Sequence, residues 1–136
     1  MQVNPYLIYD GNCQEALKFY QKVLGARIEA THRYREGPPE MQVAPEHKDR
    51  IMHARLTIDG EVLMASDAYP GNFQKPQGFS IAIALNDATE AERIFKALSE
   101  NGKVQMPLEE TFWALRFGYL IDRFGVPWMI NCEKSA

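Results

Sequence analysis

The residues able to do chemistry in this chain sit on short alternating segments. In IMHARLTI (51–58), His53, Arg55 and Thr57 alternate with apolar residues, so a strand there sets all three on one face. Histidine titrates near neutrality and can shuttle a proton once geometry allows it. Arginine offers a rigid fork of donors suited to a carboxylate, phosphate or phosphonate. Arg116 in LRFGYLID (115–122), Ser80 in FSIAIAL (79–85) and Asn131 in VPWMINC (126–132) add further donors on apolar strands. Each has a structural alternative. A strand histidine can be held by one hydrogen bond, an arginine can serve as an edge residue or salt-bridge partner, and an asparagine can fix backbone.

Composition narrows the chemistry. The chain has 136 residues, 46% of them hydrophobic and 24% charged, which is ordinary for a globular protein of one domain or two small fused halves. A net charge of −3 argues against general nucleic-acid binding, which needs a basic field. The two cysteines, Cys13 and Cys132, form no C-x-x-C and no disulfide framework, so reduced thiols in the cytoplasm are the expectation. No apolar run reaches the ~18 residues of a membrane span, and MQVNPYLIYDG carries no signal-peptide pattern.

The elements that must position these residues follow a repeat. VNPYLIY (3–9) reads as a strand. Residues 13–24 read as a helix, with Asn12 as N-cap, Glu15 at the capping-box position, a stripe of Cys13, Ala16, Leu17, Tyr20 and Leu24, and Gly25 as the stop. Strands follow at 26–35, 51–58 and 61–66, the last two joined by the hairpin dipeptide Asp59-Gly60. The stretch 36–50, with its prolines, reads as a long loop, and 67–78 as a linker. The order then restarts: strand 79–85, a helix capped by Asp87 with a stripe of Ala91, Ile94, Phe95 and Leu98, a stop at Asn101-Gly102, then strands 103–110, 115–122 and 126–132. The caps lie 75 residues apart and the stop glycines 77 apart. A helix with a four-stranded sheet, duplicated, is the implied α+β architecture: modules at 1–66 and 79–136 within one domain.

This duplicated βαβββ unit resembles the vicinal oxygen chelate superfamily of glyoxalases, bleomycin-resistance proteins and extradiol dioxygenases. ALKFYQKVLGA (16–26) is similar to its first helix and GFSIAIALNDATEAERIF (78–95) to the start of its second module. NPYLIYDGNCQEALKFY and ETFWALRFGYLIDRFGVPWMIN (110–131) resemble the opening and ending of its PhnB-like branch, whose members are also labelled demethylubiquinone methyltransferase-like. The resemblance implies cup-shaped mixed sheets and a homodimer, with the 36–50 loop near the interface or the pocket mouth. It also implies metal-ligand positions on the first and last strands of each module. Here those fall on Pro5, Met64, Ser80 and Met129, none of them a histidine or carboxylate, so no metal and no cofactor is expected. Asp10-Gly11-Asn12 holds one glycine and fits a simple turn better than a methyl-donor loop.

Within such a cup, alternation sends Tyr6, Ile8, Phe79, Ile81, Ile83, Trp128 and Ile130 under the helices. It sends His53, Arg55, Thr57, Met64, Ser66, Ser80, Ala82, Arg116, Gly118, Met129 and Asn131 to the open face. Trp113 is either a pocket wall or a dimer anchor. The expected function is metal-independent binding of a small anionic or aromatic compound in the cup, contacted by Arg55, Met64, Ser80, Trp113, Arg116, Met129 and Asn131. The alternative is an enzyme of the same superfamily, lyase- or isomerase-like or dioxygenase-related, with His53 as acid/base. A metalloenzyme drawing on His53 and Asp67 is the third reading.

Overall fold

The computed structural model describes residues 1–134. The chain forms two compact units, Met1–Gln74 and Lys75–Ala136. The first contains β1 (Tyr6–Tyr9), α1 (Cys13–Leu24), β2 (Arg27–Arg33), β3 (Ile51–Ile58) and β4 (Glu61–Asp67). The second contains β5 (Ile81–Leu85), α2 (Ala88–Ser99), β6 (Lys103–Glu109), β7 (Ala114–Ile121) and β8 (Pro127–Glu133). Each unit is one four-stranded mixed sheet with a single helix, in orders β1-β4-β3-β2 and β5-β8-β7-β6. The first and last strands of each unit pair in parallel and the other neighbours antiparallel. The duplicated βαβββ α+β architecture expected from the repeat is therefore what forms.

Local chemistry explains the helices. Asp87 caps α2, accepting from the Thr89 and Glu90 N–H groups at 2.9 and 3.2 Å. Asn12 makes no such bond at α1. A buried residue from the far end of the unit takes over: Asp67 Oδ1 accepts from Gly11 N at 2.8 Å and Cys13 N at 3.0 Å, and Oδ2 accepts from Ile51 N at 2.8 Å. Asp67, expected in the linker, is thus the last residue of β4 and binds three chain segments together. Gly25 ends α1 in the left-handed region at φ 68, donating to Gln21 O. Asn101, also left-handed at φ 58, follows α2.

Burial fixes which sheet face meets each helix. In unit 1 the buried set is Leu7, Tyr9, Ala54, Leu56, Leu63 and Ala65, under the α1 residues Cys13, Ala16, Leu17, Tyr20 and Val23. Val23 replaces Leu24 in the expected stripe. A 2.9 Å hydrogen bond from Tyr9 Oη to Tyr20 Oη joins β1 to α1. Tyr6 and Ile8, expected under the helix, lie on the opposite, exposed face. VNPYLIY is apolar in both phases, so alternation alone did not choose between them. In unit 2, Ala91, Ile94, Phe95 and Leu98 of α2 pack with Leu120, Trp128 and Ile130. Trp128 Nε1 donates to buried Asp122 Oδ2 at 2.9 Å. Phe79, also expected in the core, precedes β5 and is exposed.

The 34–50 stretch is more ordered than a plain loop. It contains 3-10 turns at Tyr34–Glu36, Pro39–Met41 and Pro45–His47. Buried Tyr34 donates to Asp67 O at 2.9 Å, an Arg35–Asp49 ion pair closes the turns, and Tyr69 Oη donates to Gln42 O.

Candidate functional site

Each unit leaves one sheet face free of its helix, and the two faces carry different chemistry. In unit 1, β3 turns His53, Arg55 and Thr57 outward while Ala54 and Leu56 are buried. Register places Arg55 beside Met64, and Met64 beside Tyr6 across the parallel β1–β4 pair. Tyr6 Oη lies 3.2 Å from His53 Nδ1, with the rings tilted at 31° and their centroids 5.8 Å apart. His32 pairs with His53 from β2 and reaches Glu36 at 3.5 Å. The Arg33 backbone N–H, first, and the His32 ring after it hold the Glu36 carboxyl below its ordinary range. Thr57 donates to Glu29 at 2.9 Å. Arg55 is exposed, and among the described residues it has no carboxylate partner.

This arrangement can hold an anion against Arg55. It also supplies a phenol–imidazole pair through which a proton can move. Sequence reasoning placed His53, Arg55 and Met64 correctly on this face and missed Tyr6. The signal that finds Tyr6 is structural: the buried fit of Leu7 and Tyr9 turns it outward.

The free face of unit 2 is apolar and aromatic. Ala82 and Ala84 of β5 lie beside Met129 and Asn131 of β8, which lie beside Tyr119 and Phe117 of β7. Trp113, 46% exposed, stands edge-on to Phe117 at 5.2 Å and to Phe112 at 4.7 Å. Phe117 in turn stands edge-on to Tyr119 at 5.3 Å. Ser80, half-buried, lies just ahead of β5.

Two residues expected on this face are elsewhere. Arg116 pairs in register with buried Cys132, and its Nε meets Glu92 of α2 at 2.9 Å, so it serves the helix side. Gly118 is buried there too: a Cβ at that position would come within 2.9 Å of Phe95 Cε2. The phase of β7 is therefore one residue away from the expected one, and a shift of one exchanges the faces. His53 and Asp67 likewise fall on opposite faces, and both Asp67 oxygens are taken by backbone N–H groups.

A further hollow of about 490 Å³ lies on the helix side of unit 1, beside the start of α1. Its two arginines are engaged: Arg33 donates to Gln14 Oε1 and Asp49 O, and Arg50 meets Asp10 at 3.3 Å and His47 at 3.2 Å, while Lys18 also lines it. Glu15, Glu46 and Asp49 line it as well. The 36–50 loop, expected near the interface or the pocket mouth, supplies Glu46, His47, Asp49 and Arg50 to its wall.

The family model described as 3-demethylubiquinone-9 3-methyltransferase matches residues 1–131. The chain belongs to that family. Among solved structures similar to this member, protein PA1353 from Pseudomonas aeruginosa has a TM-score of 0.90 and 47% identity, covering 99% of each chain. A PhnB protein of the same family from Bacillus cereus has a TM-score of 0.81 and 26% identity, covering 97% of this chain and 99% of that one. Protein YjdN from Escherichia coli is 38% identical over 143 residues, 99% of this chain and 97% of the relative. The fold extends further: a glyoxylase/bleomycin resistance protein/dioxygenase domain from Frankia has a TM-score of 0.70 at 10% identity, covering 98% of each chain. This family member is thus a PhnB-like protein on the vicinal oxygen chelate fold. Among the described residues no helix is long and apolar enough to cross a membrane.

Proposed function

We propose that this chain is a metal-independent small-molecule-binding protein of the glyoxalase/bleomycin-resistance type, taking a small anionic or aromatic compound on a free sheet face. The observation that carries this reading is Arg55. It is an exposed guanidinium with no carboxylate partner among the described residues, set beside Met64 and close in register to the Tyr6–His53 pair. An unpaired arginine over partly apolar surface suits a carboxylate or phosphonate attached to a small organic body.

The donor chemistry speaks against the metal that other members of the fold use. On the free faces, the first- and last-strand neighbours are Tyr6 with Met64 in unit 1 and Ala82 with Met129 in unit 2. Pro5 and Ser80, the positions the resemblance implies, stand just ahead of β1 and β5, and neither is a histidine or a carboxylate. Two thioethers and a methyl group do not suit a divalent, oxygen-chelating ion, and the Tyr6 phenol alone, already hydrogen-bonded to His53, does not make up a ligand set. The methyl transfer named in the family description finds no fit either. The turn before α1 has its Gly11 and Cys13 N–H groups bound by Asp67, which leaves neither to cradle a methyl donor. The same reading expects a cytoplasmic homodimer, with exposed Phe112 as the candidate contact and Trp113 kept as a wall of the unit 2 face.

The test is titration of chelator-treated protein with benzoate and phenylphosphonate, followed by calorimetry and thermal shift. The reading expects saturable binding that Arg55→Ala weakens about tenfold or more, with a midpoint that rises with ligand concentration. Equal binding by the variant contradicts it.

The Tyr6–His53 hydrogen bond favours one second reading, an enzyme with His53 as acid/base. His53→Ala separates the two. Binding survives in a sequestering protein, whereas turnover falls by ~10²–10⁴-fold in an enzyme.

A further inference from the structure

We propose that the free face of unit 2 takes a flat, uncharged aromatic molecule that presents an N–H or O–H donor to Asn131 Oδ1. This rests on the small-molecule reading above and names the ligand chemistry of one face.

The starting observation is an orphan. Asn131 Oδ1 is buried and accepts no hydrogen bond from any described residue. A buried acceptor without a donor is costly, and most such groups in folded proteins find a partner. Neither neighbouring strand supplies one in register: Asn131 lies between Ala84 of β5 and Phe117 of β7.

The surroundings say what shape of donor fits. On the β5 side the face is low, because Ala82 and Ala84 are short and exposed. On the β7 side it is bounded by rings: Trp113, Phe117 and Tyr119 stand successively edge-on, at 5.2 and 5.3 Å. Edges and faces of this kind favour a planar π system, which gains from offset or T-shaped contact. Charge narrows the choice further. Glu109 pairs with Phe117 from β6 and sets a carboxylate at the rim, which disfavours an anion. The two faces therefore differ in taste. Arg55 in unit 1 suits an anion, and Asn131 in unit 2 suits a neutral aromatic donor.

Indole and 1-methylindole make the test, since they differ by the N–H that Asn131 would accept. Both are titrated into the full chain, followed by the NMR signals of Trp113, Phe117 and Tyr119 and of the Asn131 amide. The wild type is expected to bind indole about five- to tenfold more tightly than 1-methylindole, as one hydrogen bond to an otherwise orphaned acceptor implies. In Asn131→Leu that ratio is expected to fall to about one, while Asn131→Asp, which still accepts, retains a preference for indole. A retained preference in the leucine variant would show that the added methyl is excluded by shape and would overturn the role of Asn131. Equal binding of both probes by the wild type, with the ring signals shifting, would also overturn it and leave the small-molecule reading standing. If neither probe moves those signals and they broaden with protein concentration instead, a second copy of the chain covers the face. That outcome overturns this inference and removes unit 2 from the wider reading as well.

Discussion

Tyr6 and His53, 47 residues apart in sequence, meet on the free face of the first sheet with Tyr6 Oη 3.2 Å from His53 Nδ1. The contact exists because Leu7 and Tyr9 take the buried phase of β1 and leave Tyr6 outside. Tyr6→Phe removes the hydroxyl and little else. Because the pair is exposed, the variant should lose less than ~1 kcal/mol of stability. The His53 Nδ1 resonance should shift in a nitrogen-15 spectrum of the imidazole. An unchanged resonance would mean that the two side chains do not meet in solution.

Asp67 should matter far more to folding. Its carboxylate is 2% exposed and accepts from Gly11, Cys13 and Ile51. Asp67→Ala leaves those donors without their partner at the start of α1 and of β3, at a cost on the order of 3–5 kcal/mol. Urea denaturation checks this. A loss under 1 kcal/mol would show that the three segments are held by other means.

Gly118→Ala tests the phase of β7. The added methyl would lie 2.9 Å from Phe95 Cε2 and 3.0 Å from both Leu108 Cα and Met106 O. Backbone cannot yield as a side-chain tip can, so the variant should be about 1–3 kcal/mol less stable. If Gly118 faced the open side, the substitution would be near neutral.

That phase marks the limit of what the sequence discloses. The helices, the Asp59-Gly60 hairpin, the repeat and the outward face of β3 were legible, because caps, left-handed turn residues and polar–apolar alternation each point to one answer. In IMHARLTI the polar residues choose their own side. In LRFGYLID and VNPYLIY both phases are apolar or mixed, and the choice falls to packing that arises only in the folded unit. Phe95 needs the space that Gly118 leaves, and Arg116 then reaches Glu92. The same holds for Asp67, whose partners lie 54 and 56 residues away along the chain.

Cys13 should be inert in the folded chain. Burial first, and the Asp67 carboxylate after it, push its thiol far above the ordinary thiol range. An acid whose pKa rises on folding contributes stability fully present below the unfolded value of about 8.5 and lost as pH climbs past it, since only the unfolded chain then ionises. Stability measured in urea should therefore fall between about pH 8 and 10, and less so in Cys13→Ala. A thiol reagent at pH 8 should label Cys13 only as fast as the protein opens. Rapid labelling of the folded protein would contradict the burial.

The most direct test of the central claim uses methionine methyl groups, because Met64 and Met129 lie on the two free faces. The chain labelled at its methionine methyls is stripped of metal, kept in chelator and titrated with benzoate, phenylphosphonate and indole. The account predicts saturable shifts of Met64 with the anions and of Met129 with indole. Silence from both methyls until a divalent metal is restored would contradict it.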